Sequence, residues 1–106
     1  MAKDALRAVR ARIERGWSQD ADARDADGEV VRLGSLEACS WSLAGAFALV
    51  AMDGIPMSHV VPALRAIAEV AGTDSLVEWN DDPMRTHEEV LEALDAALLG
   101  LESDSS

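Results

Sequence analysis

The sequence predicts a mainly α-helical domain of four helices, with a short hairpin or irregular insert between helices 1 and 2. Ala and Leu dominate its 106 residues, Tyr is absent and Phe occurs once, a composition that favours helices over strands. Apolar residues recur at steps of three and four in several stretches, and clustered Asp and Gly separate the first two stretches. We expect one domain over residues 1–101, with residues 102–106 as a frayed C-terminal tail.

The first helix is predicted over residues 2–15. Leu6, Val9 and Ile13 recur on one face, and Trp17 continues the same spacing. Arginines occupy the rest of the cylinder, and a glycine follows as a typical helix end. The apolar face packs either within the chain or against a second copy, so a homo-oligomer stays possible.

The insert spans residues 18–34 and is rich in Asp. Asp27 followed by Gly28 is a hairpin signal, because glycine accepts a positive φ in a tight turn. Such a turn would join residues 23–24 to residues 29–32. We therefore expect a two-stranded ribbon or an ordered loop here.

The second helix is predicted from a cap at Ser35 to about Met52. Its residues are apolar nearly all round, which is typical of the buried centre of a small bundle. Small residues at 44–46 would let another element approach its backbone closely. Cys39 falls inside this helix, where a free Cys usually packs as a small hydrophobe and lacks the base that a nucleophile needs.

Two more helices are predicted in the C-terminal half. The third starts between Ser58 and Pro62, where the proline suits the first turn, and ends at Gly72. The last begins at a capping box, in which Thr86 and Glu89 each satisfy the other's free N–H. Carboxylates fill the first turn of this last helix, the end that favours negative charge.

The net charge is −11 and is unevenly spread. Residues 1–15 carry five basic and two acidic side chains, whereas residues 16–106 carry four basic and 18 acidic ones. This acidic field repels nucleic acid and anionic membranes, so we expect neither as a direct partner. It fits either a role in solubility or an acidic face that binds a basic protein partner.

Cysteine use and hydropathy indicate a cytoplasmic protein. The single Cys39 excludes an internal disulfide and fits a reducing compartment. No secretory signal is visible. The longest uncharged stretch, residues 38–52, is shorter than the roughly 20 residues that span a bilayer.

No metal or cofactor is predicted. The 25–28 segment resembles part of an EF-hand loop, but the two end positions of that loop would be Ala23 and Gly34, which carry no carboxylate. Zinc needs clustered Cys and His, whereas the one Cys and two His here have no paired spacing. We expect His87 to be solvated in the first turn of the last helix.

The most informative polar segment is Trp79-Asn80-Asp81. A large aromatic is usually buried, whereas Asn and Asp face water or bond nearby backbone, so the segment is either a rigid corner or a small polar site. We favour the corner, in which the polar groups cap and brace; in a site, Arg would hold an anion and Asp would act as base or ligand. The candidate ligand-binding residues are Arg24, Asp25, Trp79, Asn80, Asp81 and Arg85; none is assigned as catalytic or as a metal ligand.

Short motifs are spread over most of the chain. They are Ile13-Glu14-x-Gly16-Trp17-Ser18-Gln19, Ala23-Arg24-Asp25-x-x-Gly28, Trp41-Ser42-x-x-Gly45-Ala46, Trp79-Asn80-Asp81 with Arg85-Thr86, and Glu89-Val90-Leu91 with Leu94-Asp95-x-Ala97. Their order and spacing resemble a small uncharacterised family of bacterial, often actinobacterial, and phage proteins, described as a domain of unknown function. The resemblance implies no reaction, cofactor or substrate. In the relatives a Cys directly follows the Trp of the third motif, whereas here Ser42 does, so any thiol chemistry would be missing in register.

Three functions are compatible with these patterns. The leading one is a small acidic, non-enzymatic interaction or accessory protein. The second is a ligand-binding or enzymatic site at the cluster of Arg24, Asp25, Asn80 and Asp81. The third is an acidic inhibitor or nucleic-acid mimic of phage type, which the charge and the resemblance to phage-encoded relatives suggest.

Overall fold

The computed structural model describes residues 2–104, which form five helices and one pair of short strands. In chain order the elements are α1 (Ala2–Arg15), β1 (Ala23–Arg24), β2 (Ser40–Trp41), α2 (Leu43–Met52), α3 (Met57–Ala71), α4 (Leu76–Asn80) and α5 (His87–Asp104). The predicted fold class is confirmed, because four substantial helices dominate and the antiparallel strands lie between α1 and α2. The short α4 occupies the segment predicted as a corner.

The first helix, α1, holds the central position in the domain. It packs against α2, α3 and α5. Its apolar face is fully buried at Leu6, Val9 and Ile13. The central position predicted for the second helix is therefore wrong, because the chain covers α1 on three sides and leaves α2 at the flank.

The second helix, α2, begins later in the chain than predicted. Its N-cap is Ser42, whose Oγ accepts a hydrogen bond from Gly45 N–H at 3.0 Å. The cap predicted at Ser35 is wrong, because its Oγ accepts from Glu37 N–H within an isolated turn. Both serines use the same local chemistry, and only the second one is followed by a helix.

The segment before α2 pairs with the insert instead of extending the helix. Ala23 lies opposite Trp41, and Arg24 lies opposite Ser40, in an antiparallel register. This pairing satisfies backbone groups that the predicted helix would have satisfied locally. Cys39 therefore lies outside α2 and is exposed, so its predicted place in the buried central helix is wrong.

The predicted turn at residues 27–28 joins two short extended arms. Val31 N–H donates to Ala23 O at 3.1 Å across the arms. Gly28 adopts a φ of 81°, which a tight turn requires and which glycine accepts without steric cost. The first arm thus pairs on both of its edges, with residues 29–31 and with β2.

The third helix, α3, ends as predicted, because Gly72 adopts the left-handed conformation of a C-cap with a φ of 69°. It begins at Met57, after an N-cap at Pro56, which is slightly earlier than predicted. Pro62 therefore lies inside the helix and not in its first turn. Its ring is exposed to solvent, on the side away from the core.

The last helix, α5, begins at the predicted capping box. Thr86 N–H donates to Glu89 Oε1 at 3.0 Å, and Glu89 N–H donates back to Thr86 Oγ1 at 3.1 Å. The helix continues through residues 102–104 of the predicted tail, while residues 105–106 lie outside the described part of the chain. Between residues 2 and 104, no helix combines the length and the apolar character needed to cross a membrane.

A close backbone contact presses the insert against α2. A Cβ added to Gly45 would overlap the Asp22 carbonyl. That carbonyl also accepts a hydrogen bond from Ser42 N–H at 3.2 Å. The role predicted for small residues at 44–46 is thereby confirmed at Gly45, and it brings residues 20–22 to the N-terminus of α2.

Candidate functional site

The short helix α4 turns the Trp79-Asn80-Asp81 segment towards the core. Ser75 caps it, with its Oγ accepting from Glu78 N–H at 3.3 Å. After a single helical turn the chain leaves at Asp81. Asn80 consequently lies at the inner end of α4 with no solvent exposure, which is unusual for an Asn.

Every hydrogen-bonding position of the Asn80 side chain is occupied. Its Oδ1 accepts from Trp17 Nε1–H at 2.7 Å and from Leu43 N–H at 3.1 Å. Its Nδ2 donates to Ser18 O at 3.2 Å and to Asp81 Oδ1 at 2.9 Å. An Asn amide has two acceptor and two donor positions, so this side chain is saturated.

We call Asn80 with these four partners the Asn80 latch. It joins three separate segments: the loop after α1, the first residue of α2 and the end of α4. Leu43 N–H is one of the free donors at the start of α2, and Asn80 takes the place of an intrahelical partner. The buried Asn is therefore explained as a structural connection.

The loop after α1 adds three further bonds to the same corner. Gln19 Nε2 donates to Asn80 O at 2.9 Å and to Asp82 O at 2.7 Å. Asp20 N–H donates to Asp81 Oδ1 at 2.9 Å. Asp20 adopts a φ of 62°, a left-handed conformation that only Gly, Asn and Asp visit readily.

Arg85 braces the outer side of the corner. Its Nε donates to Trp79 O at 3.0 Å, and its guanidinium lies 3.9 Å from the centre of the Trp79 ring. It also pairs with Asp82 at 3.8 Å and with Glu89 at 3.7 Å. The guanidinium thus contacts Trp79 and two carboxylates of its own chain.

Arg24 and Asp25 do not join this corner directly. Arg24 Nη1 donates to Gly28 O at 2.8 Å and its Nη2 donates to Gln19 O at 3.2 Å, so it reaches the corner only through Gln19. Asp25 Oδ1 accepts from the N–H groups of residues 27 and 29 and organises its own turn. The structure brings Trp79, Asn80, Asp81 and Arg85 together and leaves Arg24 and Asp25 at the hairpin.

Three contributors to the corner were not predicted from the sequence: Trp17, Gln19 and Asp20. The spacing of Trp17 assigns it to the apolar face of α1, but a buried indole N–H needs an acceptor, and that need was the available signal. Gln19 and Asp20 lie in an irregular loop, where no periodic pattern links them to residues some 60 positions away.

His87 fastens the start of α5 to the end of α1. Its Nε2 lies 2.6 Å from Ile13 O, and its ring stacks on Trp17 with centroids 6.1 Å apart. The side chain is half-buried, so the prediction of a solvated His87 is wrong. His87 therefore connects α1 and α5 next to the Asn80 latch, because it stacks on the Trp17 ring whose N–H donates to Asn80.

A small cavity of about 280 Å³ lies beside the latch at the N-terminus of α2. Asp20, Asp22 and Asp81 line it together with Ser42 and Asn80. The amide of Asn80 and the Oγ of Ser42 are already used by internal hydrogen bonds. The open chemistry of the cavity is therefore that of carboxylates, which attract a cationic group.

Metal-ligating side chains do not cluster in the part of the chain that the structure describes. Within residues 2–104 no group of three or more His, Cys, Asp or Glu is arranged to hold an ion. The three Asp side chains of the cavity therefore do not form such a group.

Comparison with known proteins identifies a family. A profile described as a family of unknown function, DUF6197, matches residues 1–98. The matched region extends from α1 into α5 and contains the whole Asn80 latch. No curated protein and no solved structure gives a significant match. This chain belongs to DUF6197, a family of unknown function.

Proposed function

We propose that this protein is a small non-enzymatic interaction module that binds a basic protein partner. The observation that carries the proposal is that the arginines of α1 contact groups of their own chain. Three arginines of α1 form ion pairs with acidic side chains of the same molecule, and the fourth lies over an aromatic ring. What remains exposed is a surplus of carboxylates.

The arginines of α1 all have partners within the domain. Arg7 pairs with Asp4 at 3.7 Å and Glu102 at 3.5 Å, Arg10 with Glu14 at 2.8 Å and Asp95 at 2.5 Å, and Arg12 with Asp53 at 3.8 Å. Arg12 and Arg15 also lie over the ring of Trp41, at 4.8 and 5.7 Å from its centre. The hydrogen bond that Arg10 donates to Asp95 raises the pKa of Arg10. The basic segment seen in sequence therefore forms no free basic face.

An acidic surface selects its partner by charge. With a net charge of −11, the domain repels nucleic acid and anionic membranes and attracts basic protein surfaces. Such attraction mainly raises the association rate and weakens steeply with added salt. The same reasoning supports the finer alternative of an acidic inhibitor that occupies the nucleic-acid site of a basic protein.

The geometry of the corner supports an interaction role over a reaction. A small-ligand site would use Asn80 and Arg85, but both form hydrogen bonds with groups of their own chain. The cavity beside Asn80 and Asp81 favours a second candidate, a site for a small cationic ligand. Arg24 and Asp25 lie outside its lining, so that candidate would differ from the predicted cluster.

The test is an affinity capture from an extract of the native source with the purified domain as bait. We expect basic proteins to be retained at about 50 mM salt and released by about 300 mM salt. Each retained protein is then purified and titrated against the domain by calorimetry. Retention of acidic proteins by a salt-insensitive complex would contradict the proposal, and so would turnover of a small substrate by the purified domain.

A further inference from the structure

A continuous groove runs along α2 and is formed by three adjoining depressions. They measure about 280, 460 and 300 Å³, and Ala44 lines all three. Val77 is shared by the first two, and Leu64 is shared by the last two. We call this surface the Ala44 groove. Ala44 is a small residue that lies where the three depressions meet.

One end of the groove is acidic. Asp20, Asp22 and Asp81 line it, and Asp74 follows in the middle depression. Within residues 2–104, the carboxylates of Asp20, Asp22 and Asp74 form neither a hydrogen bond nor an ion pair, so their charge is uncompensated. Arg65 is the one basic residue in the lining of the three depressions.

The other end of the groove is apolar. Phe47 and Val60 form its floor, and the exposed Ala48 and Met57 lie along its rim. Met57 is 56% exposed, although a large apolar side chain at a helix start gains nothing from solvent. Val77, beside the acidic end, is 53% exposed as well. The apolar groups thus stand open next to uncompensated carboxylates.

We infer that the Ala44 groove receives a basic amphipathic helix of a protein partner. The inference rests on the proposed function and specifies its surface. From Ala44 to Ala51, α2 rises about 10 Å, or two helical turns, which matches apolar anchors at i, i+3 or i+4, and i+7 of a docked helix. A Lys or Arg one turn beyond those anchors would face Asp20, Asp22 and Asp81.

Charge favours such a partner over a second copy of this chain. Two domains of net charge −11 repel each other, and the carboxylates of the groove would face an acidic surface. Among the helices of residues 2–104, α1 is the one basic helix, and its apolar face is buried in the core. No helix of a second copy therefore offers the basic and apolar faces that the groove complements.

The test uses a fluorescent Leu/Lys peptide of about 15 residues whose Leu side chains form one helical face. Its binding to the whole protein is measured by anisotropy, beside a scrambled peptide and one with Glu in place of Lys. We expect binding of the first peptide only. Ala48→Gln fills the apolar end and weakens binding at least about fivefold, whereas Ala96→Gln on α5 changes it less than about twofold.

The acidic end has its own matched pair of variants. Asp20→Asn with Asp22→Asn should weaken binding about fivefold at low salt, because asparagine keeps the left-handed φ of residue 20 and removes only the charge. Glu88→Gln with Glu92→Gln removes the same charge from the outer face of α5 and should change binding less than about twofold. Circular dichroism verifies folding, and Met57→Gln replaces Ala48→Gln if that variant unfolds.

The outcomes separate this inference from the proposed function. Equal weakening by both acidic pairs of substitutions would indicate general charge attraction. Equal weakening by Ala48→Gln and Ala96→Gln would show that the peptide does not select the groove. Either result would overturn the groove while leaving the basic partner in place. The groove also fails if Ala48→Gln dissociates a homodimer in gel filtration, since a second copy would then be its occupant. The captured basic proteins are also tested against the Ala48→Gln variant. If they bind it as well as they bind the wild type, the groove inference fails and the proposed function stands.

Discussion

At the scale of single residues, the Asn80 side chain connects several parts of the fold. Its amide is buried and holds two donors and two acceptors from segments that are distant in sequence. Each bond contributes only about 1 kcal/mol net, but a buried partner left without a bond costs roughly 1–3 kcal/mol. The importance of Asn80 therefore lies in the groups it satisfies.

We predict that Asn80→Ala lowers the free energy of unfolding by about 4 kcal/mol, because Trp17 Nε1–H, Leu43 N–H and Ser18 O lose their partner in a buried environment. Urea unfolding measures the change. Trp17→Phe is the control, since it removes one donor and replaces the indole with a smaller aromatic ring, and it should cost about 1–2 kcal/mol. If Asn80→Ala costs no more than the control, the latch is not a main source of stability.

At the scale of residues, the sequence indicated either a corner or a site at Trp79-Asn80-Asp81 but did not predict the contacts of these residues. That alternative rested on the adjacency of these three residues. The capping box at Thr86 and Glu89 predicted where the next helix starts, and the structure confirms it. The partners of Asn80 could not be predicted, because they depend on how the loop at residues 17–20 packs. Whether any corner residue binds a ligand stays a prediction.

At the scale of elements, a single glycine sets the distance between α2 and the insert. We predict that Gly45→Ala lowers the free energy of unfolding by about 1–3 kcal/mol, because the new Cβ overlaps the Asp22 carbonyl and outweighs the better helix propensity of Ala. Gly100→Ala in α5 is the matched control. Nothing lies within 4 Å of a Cβ there, so it should raise stability by about 0.5–1 kcal/mol in the same thermal melts. Equal effects at both positions would refute a close approach at Gly45.

The bounds of α1, the end of α3 at Gly72 and the start of α5 after Thr86 follow from periodicity and from end signals. The start of α2 does not, because residues 39–42 read as part of an apolar helix and pair instead with the insert. Tertiary hydrogen bonds override local preference in this segment. Local patterns thus predicted helices whose backbone hydrogen bonds are internal. They failed at residues 39–42, whose backbone groups pair with a distant segment.

At the scale of the whole molecule, two electrostatic effects oppose each other. Surface ion pairs between α1 and α5 hold the helices together, and each is worth about 0–1 kcal/mol. The net charge of −11 acts against the compact state through repulsion. We expect repulsion to dominate, because the ion pairs are exposed and few beside the excess of carboxylates.

We therefore predict that salt stabilises the folded domain. Raising salt from about 20 mM to about 300 mM should add about 1 kcal/mol, or roughly 4–8 °C in Tm for a domain of about 100 residues. Calorimetry measures the Tm. Arg10→Gln removes two ion pairs and makes the net charge more negative. The Tm of this variant should therefore rise more with salt than the Tm of the wild type. A Tm that falls with salt would show that the ion pairs outweigh repulsion.

The Asn80 latch also has a consequence for how the chain folds. Two of its bonds join residues 62 and 63 positions apart, and the Arg10–Asp95 pair spans 85 positions. Folding rates fall as native contacts become more distant in sequence, since each long loop must close before its contact stabilises anything. This helical domain should therefore fold more slowly than a bundle with local contacts. Because its first and last helices contact each other, neither terminal half encodes an independent folding unit, and translation must reach α5 before the native state forms.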